Sequence, residues 1–154
     1  MPLPQAEADQ LLSLPKIFVD TSPIEFTLNE PMDHERVLHS TDRREEFILT
    51  VERGNRTRLR LKYQTRARKV IVLARLDLNG KRHRNPPDAS YRPAEWLPGT
   101  HLHLYREGFD DRIAYLIEEA PGWSERNVTD GIAALEAFLL YCTVQSCPPI
   151  QTAL

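Results

Sequence analysis

From Glu45 to Leu78 the apolar residues recur at every second position. Phe47, Leu49 and Val51 alternate with Glu46, Ile48, Thr50 and Glu52. After a Gly54-Asn55 turn, Leu59, Leu61 and Tyr63 alternate with Arg58, Arg60 and Lys62. Successive side chains of a strand point to opposite faces, so the pattern predicts a hairpin with one buried and one wet face. Val70 to Leu78 predicts a more apolar strand, with Val70, Val72, Ala74, Leu76 and Leu78 on one side. Asn79-Gly80 after it is a two-residue hairpin signal. A proline-rich loop follows from Lys81 to Gly99, and then Thr100 to Arg106 and Arg112 to Glu118 predict another hairpin around Gly108.

Helical spacing is confined to the ends. Residues 4–14 begin with Pro4, a favoured first helical position, carry Ala8, Leu11 and Leu12, and stop at Pro15. A second helix is predicted through Cys142, with Ile132, Leu135, Phe138 and Leu139 on its apolar stripe and Thr129 or Asn127 as its cap. Ile24 to Asn29 is a weaker extended segment, followed by a polar stretch containing His34 and His39. The expected fold class is α+β: a central antiparallel meander of five to six strands with the N-terminal and C-terminal helices packed on it. At 154 residues and 41% hydrophobic, the chain is expected to form a single domain over residues 1–154 that needs no disulfide or metal to hold its core. No apolar run is long enough for a membrane span, and the first residues do not read as a secretory signal. With only Cys142 and Cys147, a cytoplasmic, reduced protein without a membrane partner is expected.

Charge is segregated. Between Arg53 and Arg84 twelve cations stand against the single acid Asp77, although the whole chain carries a net charge of −2. Such a stretch suits a phosphate-rich partner, RNA in the simplest case, or a sheet face whose cations pair with acids such as Glu45, Glu46, Glu118 and Glu119.

The sharpest local pattern is His101-Leu102-His103-Leu104-Tyr105-Arg106-Glu107-Gly108. In a strand, Leu102 and Leu104 take the core while His101, His103 and Tyr105 share the other face, near His83-Arg84-Asn85-Pro86. Three readings fit these residues. They can be hydrogen-bonded side chains on a solvated sheet face. They can be acid–base groups for attack of a ribose 2′-OH on its phosphate: imidazoles as base and acid, the phenol assisting, arginine on the developing charge. They can also be metal ligands, since His101, His103 and Glu107 are similar to the first metal motif of cupins, although the glycine spacing and a second motif are missing.

Several stretches resemble a small family of uncharacterised bacterial and mobile-element proteins, over most of the chain. They are Glu7-Ala8-Asp9 through Leu14-Pro15-Lys16, Tyr63-Gln64-Thr65-Arg66-Ala67-Arg68-Lys69, Arg75-Leu76-Asp77, the His-x-Asn-Pro of His83 to Pro86, and His101 through Phe109. Thr100 departs from that family, whose members tend to have proline there. The His-rich strand is similar, more loosely, to that of TumE-type toxins, and the size and meander suit the RelE/barnase-like group. This looser resemblance implies a toxin-like, metal-independent endoribonuclease without a cofactor. On that reading His101, His103, Tyr105, His83 and Arg84 are catalytic, and Arg58, Arg60, Lys62, Arg66, Arg68, Lys69 and Arg106 hold the nucleic acid. The protein partner would be a cognate antitoxin or a host target. The alternatives are a non-enzymatic, phage- or mobile-element-type inhibitor using its basic sheet face, and a cupin-like metal-binding protein.

Overall fold

The computed structural model describes residues 2–125 and 128–153. In chain order it contains α1 (Gln5–Ser13), β1 (Lys16–Phe18), β2 (Ile24–Thr27), β3 (Met32–Ser40), β4 (Glu46–Arg53), β5 (Leu61–Ala67) and β6 (Ile71–Leu78). These are followed by β7 (His83–Arg84), β8 (Trp96–Leu97), β9 (His101–Arg106), β10 (Asp110–Tyr115), a 3₁₀ turn (Ile117–Glu119), α2 (Gly131–Tyr141) and β11 (Ile150–Ala153). The main sheet is antiparallel, in the order β1-β3-β4-β5-β6-β9-β10, while β11 pairs with β2 and β7 with β8 in two small ribbons. Among the described residues no helix is long and apolar enough to cross a membrane.

The α+β class with a helix near each end is as expected, but the sheet has seven strands rather than five to six. The strands not anticipated are the short β1 and the polar β3 of this sheet, and β7, β8 and β11 of the two ribbons. Only Met32, Leu38 and Ser40 are buried in β3. The strand is held by its long register with β4, from Met32↔Arg53 to His39↔Glu46, so backbone hydrogen bonds replace the missing apolar signal.

Three local expectations also change. Arg58 and Arg60 do not belong to a strand: they lie in the loop 54–60, which Arg53 Nε braces by donating to Arg58 O (2.7 Å), and Leu59 there is 61% exposed. The tight turn falls at Arg68 and Lys69, both with positive φ, so that β6 starts at Ile71 and Val70 is exposed. Asn79 has a φ of 54°, but β6 pairs next with β9, and Gly80 N–H donates to Gly99 O (3.0 Å). Residues 79–99 are therefore an excursion inserted between two neighbouring strands rather than a two-residue turn.

The core lies between the sheet and the helices. Leu61, Tyr63 and Ala67 of β5, Ala74, Leu76 and Leu78 of β6, and Leu102 and Leu104 of β9 share it with Leu11 of α1 and Leu135, Phe138 and Leu139 of α2. A bulge at Leu73 resets β6, where the pairing jumps from Thr65↔Ala74 to Arg66↔Val72. Asp130 caps α2 by accepting from Ile132 N (3.1 Å), and Asn127 lies outside the described residues.

Candidate functional site

Alternation along β6 and β9 sends Ala74, Leu76, Leu102 and Leu104 into the core and the residues between them to the opposite face. The register then fixes the neighbours: Arg75 stands opposite His103, and Asp77 opposite His101. His83 joins from β7, its ring centroid 4.7 Å from that of His103 and 5.7 Å from that of His101. The His101 and His103 rings are 4.8 Å apart in an edge-on arrangement.

Each imidazole has one nitrogen against a backbone carbonyl. His101 Nδ1 lies 2.6 Å from Pro98 O, His103 Nδ1 2.8 Å from Asp111 O, and His83 Nε2 2.9 Å from Arg112 O. A carbonyl only accepts, so these three nitrogens carry the hydrogens and donate. His103 Nε2 then accepts from Arg75 Nη2 at 2.8 Å. His101 Nε2 faces Asp77 Oδ2 at 3.4 Å. Arg75 further donates from Nε to Asp77 Oδ1 (3.0 Å) and from Nη1 to Asp111 Oδ2 (3.2 Å).

Burial, reinforced by the Arg75 guanidinium, pushes the His103 imidazole down to about 3, so it is neutral at physiological pH. Burial also lowers His83, against the raising effect of its bond to Arg112 O. Burial alone would raise Asp77, but the His101 hydrogen bond and the Arg75 charge outweigh it and hold the carboxyl at about 2. The result is a fixed carboxylate, a guanidinium bridging two acids, and a neutral His103 at a set position.

The excursion that delivers His83 is itself bolted to the sheet edge. Asn85 Nδ2 donates to Ala114 O (3.0 Å) and Asn85 Oδ1 accepts from Ala114 N (2.9 Å), satisfying both outward backbone groups of that β10 residue. His83 and Asn85, two apart, thus dock on one edge, while Arg84 pairs with Trp96 across the ribbon. Trp96 is 57% exposed, with the Arg82 guanidinium 4.9 Å over its ring.

A family model described as a family of unknown function (DUF6978) matches residues 3–144. The chain belongs to that family. No curated protein and no solved structure matches it. The matched span includes the whole histidine cluster and the β7–β8 ribbon.

Of the residues that the sequence pattern points to, His83, His101 and His103 come together. His101 and His103 are each only 1% exposed. Tyr105 is placed elsewhere: its hydroxyl donates to Leu3 O (2.7 Å), and its ring lines a cavity beneath α1 with Ala8 and Leu12. Glu107 is also apart, accepting from Gln5 N (2.8 Å) at the start of α1. Arg106 Nε donates to Tyr115 Oη (2.8 Å), and Arg84 Nε donates to Ala94 O (2.9 Å).

The basic stretch divides in two. Lys62 pairs with Glu52 (3.3 Å), Arg66 with Glu35 (3.7 Å), and Arg68 with Glu7 (2.7 Å) and Glu45 (3.1 Å). Among the described residues no carboxylate forms an ion pair with Arg56, Arg58, Arg60, Lys81, Arg82 or Arg84. The loop carrying Arg56, Arg58 and Arg60 meets the start of the excursion that carries Lys81, Arg82 and Arg84: Asn79 Nδ2 donates to Leu59 O (2.9 Å) and the Arg60 side chain borders Gly80.

Sequence reasoning passed over Arg75, Asp77 and Asp111, which bind the cluster together. A signal was available: Arg75 and Asp77 are opposite charges on the polar face of an otherwise apolar strand, and Asp77 is the only acid among the twelve cations.

Proposed function

We propose that this chain binds single-stranded RNA across the β7–β8 ribbon and the adjoining basic loops, without cleaving it through His101 and His103. The observation that carries this reading is Trp96, an exposed ring beside Arg82 and Arg84, two cations with which no carboxylate among the described residues forms an ion pair. An indole offers every base a stacking surface, and flanking guanidinium groups meet the phosphates on either side. Arg58, Arg60 and Lys81 extend the positive edge along which a strand can run. Binding is favoured over hydrolysis because both ring nitrogens of His103 are engaged, and those of His101 lie against Pro98 O and Asp77. A general acid or base must reach the proton that it moves, and neither buried ring presents a nitrogen to solvent.

The test is anisotropy of a short fluorescein-labelled single-stranded RNA with the purified protein. Saturable binding is expected, weakened about tenfold by Trp96→Ala, in line with roughly 1–3 kcal/mol per stacked base. Replacement of Arg82 and Arg84 together by Ala should weaken it further. Absence of saturable binding, or full affinity in both variants, overturns the reading. RNA cleaved in EDTA by wild type but not by His101→Ala/His103→Ala would replace it with the endoribonuclease reading.

A further inference from the structure

We propose that Asp77, His101 and His103 form a binding site for a divalent first-row transition-metal ion of the zinc type, with Arg75 as the competing cation that the metal displaces from His103. The three side chains offer ligand atoms that all lie within 4.8 Å of one another. His101 Nε2 is 3.4 Å and His103 Nε2 3.9 Å from Asp77 Oδ2. Zinc bonds of about 2.0–2.2 Å to nitrogen and oxygen put tetrahedral neighbours about 3.3–3.6 Å apart. The first separation fits as it stands, and the second closes by a small rotation of either side chain.

The hydrogen bonds around the cluster have the form that orients metal ligands. Pro98 O and Asp111 O hold the hydrogens of His101 and His103 on Nδ1, which leaves each Nε2 as the donor atom turned toward the carboxylate. His101 Nε2 faces the Asp77 carboxylate at 3.4 Å in a largely buried site, and a metal ion bound there takes the place of the proton in that contact. Two imidazoles and one carboxylate select zinc, cobalt or nickel over magnesium or calcium, which prefer all-oxygen shells. Both β6 and β9 are paired on each side, so the ligands ride on rigid strands.

Arg75 sets the affinity. Its Nη2 occupies the His103 Nε2 lone pair, and its charge opposes a second cation. Its Nη1 contact with Asp111 gives the guanidinium a place to remain when it releases His103.

The readout is metal binding itself, so it does not depend on the RNA reading. Purified protein freed of metal with EDTA is titrated with zinc chloride in a calorimeter, and with cobalt chloride while the visible d–d bands are recorded. One saturable equivalent per chain is expected, with cobalt bands of a nitrogen- and oxygen-ligated ion. Asp77→Asn and His101→Gln should each weaken zinc at least about tenfold, whereas Arg75→Gln should tighten it, a gain that misfolding cannot produce. His34→Gln/His39→Gln, on the distant β3, should bind as wild type. Lack of a saturable site, unchanged affinity in Asp77→Asn, or loss of binding in the His34/His39 variant overturns the assignment. An Arg75→Gln protein that binds no more tightly overturns the displacement.

Discussion

Lys16 has no exposed surface, yet its ammonium is fully used. Nζ donates to Leu12 O (2.9 Å) and Leu14 O (2.9 Å) at the end of α1 and to Cys142 O (2.8 Å) at the end of α2, and it sits 4.6 Å over the Phe47 ring. One cation thereby satisfies carbonyls left open by two helix C-termini, where positive charge is favoured. Burial nevertheless lowers its pKa from 10.5 to about 8. Between those values the unfolded chain binds a proton that the folded chain has released, so this group makes stability rise with pH across that window. Cys142 acts in the opposite sense. Burial raises its thiol from 9.0 to about 12, so above about 9 the unfolded chain ionises first and stability falls. Comparison with Lys16→Met separates the two. In urea unfolding, the stability of wild type relative to the variant should increase from pH 8 to pH 10, and a constant difference would show that Lys16 does not titrate in this range.

The excursion between β6 and β9 is the element on which both proposed sites depend. It returns to the sheet through two glycines in backbone contact, and a Cβ on Gly99 would overlap Gly80 O. The residue before Gly99 supplies the carbonyl that orients His101, so displacement there reaches the cluster directly. Gly99→Ala is expected to cost about 1–3 kcal/mol, as backbone overlap in a packed region does. Gly54→Ala, at a position with nothing within 4 Å of the added carbon, should stay within about 0.5 kcal/mol of wild type. Chemical denaturation of both variants checks this, and equal stabilities would mean that the Gly80–Gly99 approach is not needed.

Across the whole molecule, folding sorts the cations of one stretch into two populations. Lys62, Arg66 and Arg68, on β5 and its turn, meet Glu52 of β4, Glu35 of β3, Glu45 just before β4 and Glu7 of α1, which the fold brings within reach. Those of the loop 54–60 and of residues 81–84 meet none among the described residues. RNA affinity should therefore fall steeply with salt, with a log–log slope that loses about 0.7 for each phosphate contact removed. Arg58→Glu/Arg60→Glu should lower both the affinity and the slope, while Arg68→Gln should change neither. Equal effects of the two variants on binding would show that the loop cations are not the contact surface.

The alternation of Phe47, Leu49, Val51, Leu61 and Tyr63, and of Leu102 and Leu104 with His101 and His103, was enough to place antiparallel strands and to put the two histidines on the face away from the helices. Such patterns are local, because each side chain's direction follows from its neighbours along one strand. Pro4, Pro15 and the stripe from Ile132 to Leu139 placed the helices for the same reason. Tyr105, Glu107 and Arg106 could not be read this way, since what they bond is set by where α1 and β10 arrive. The polar β3 was hidden because its partner, not its own composition, makes it a strand. Asp77, Arg75 and Asp111 became one cluster with His101 and His103 only when β6, β9 and β10 came into register. The separation of paired from unpaired cations was likewise settled by packing, because a charge finds its counterpart through space, at a sequence distance that no periodicity records.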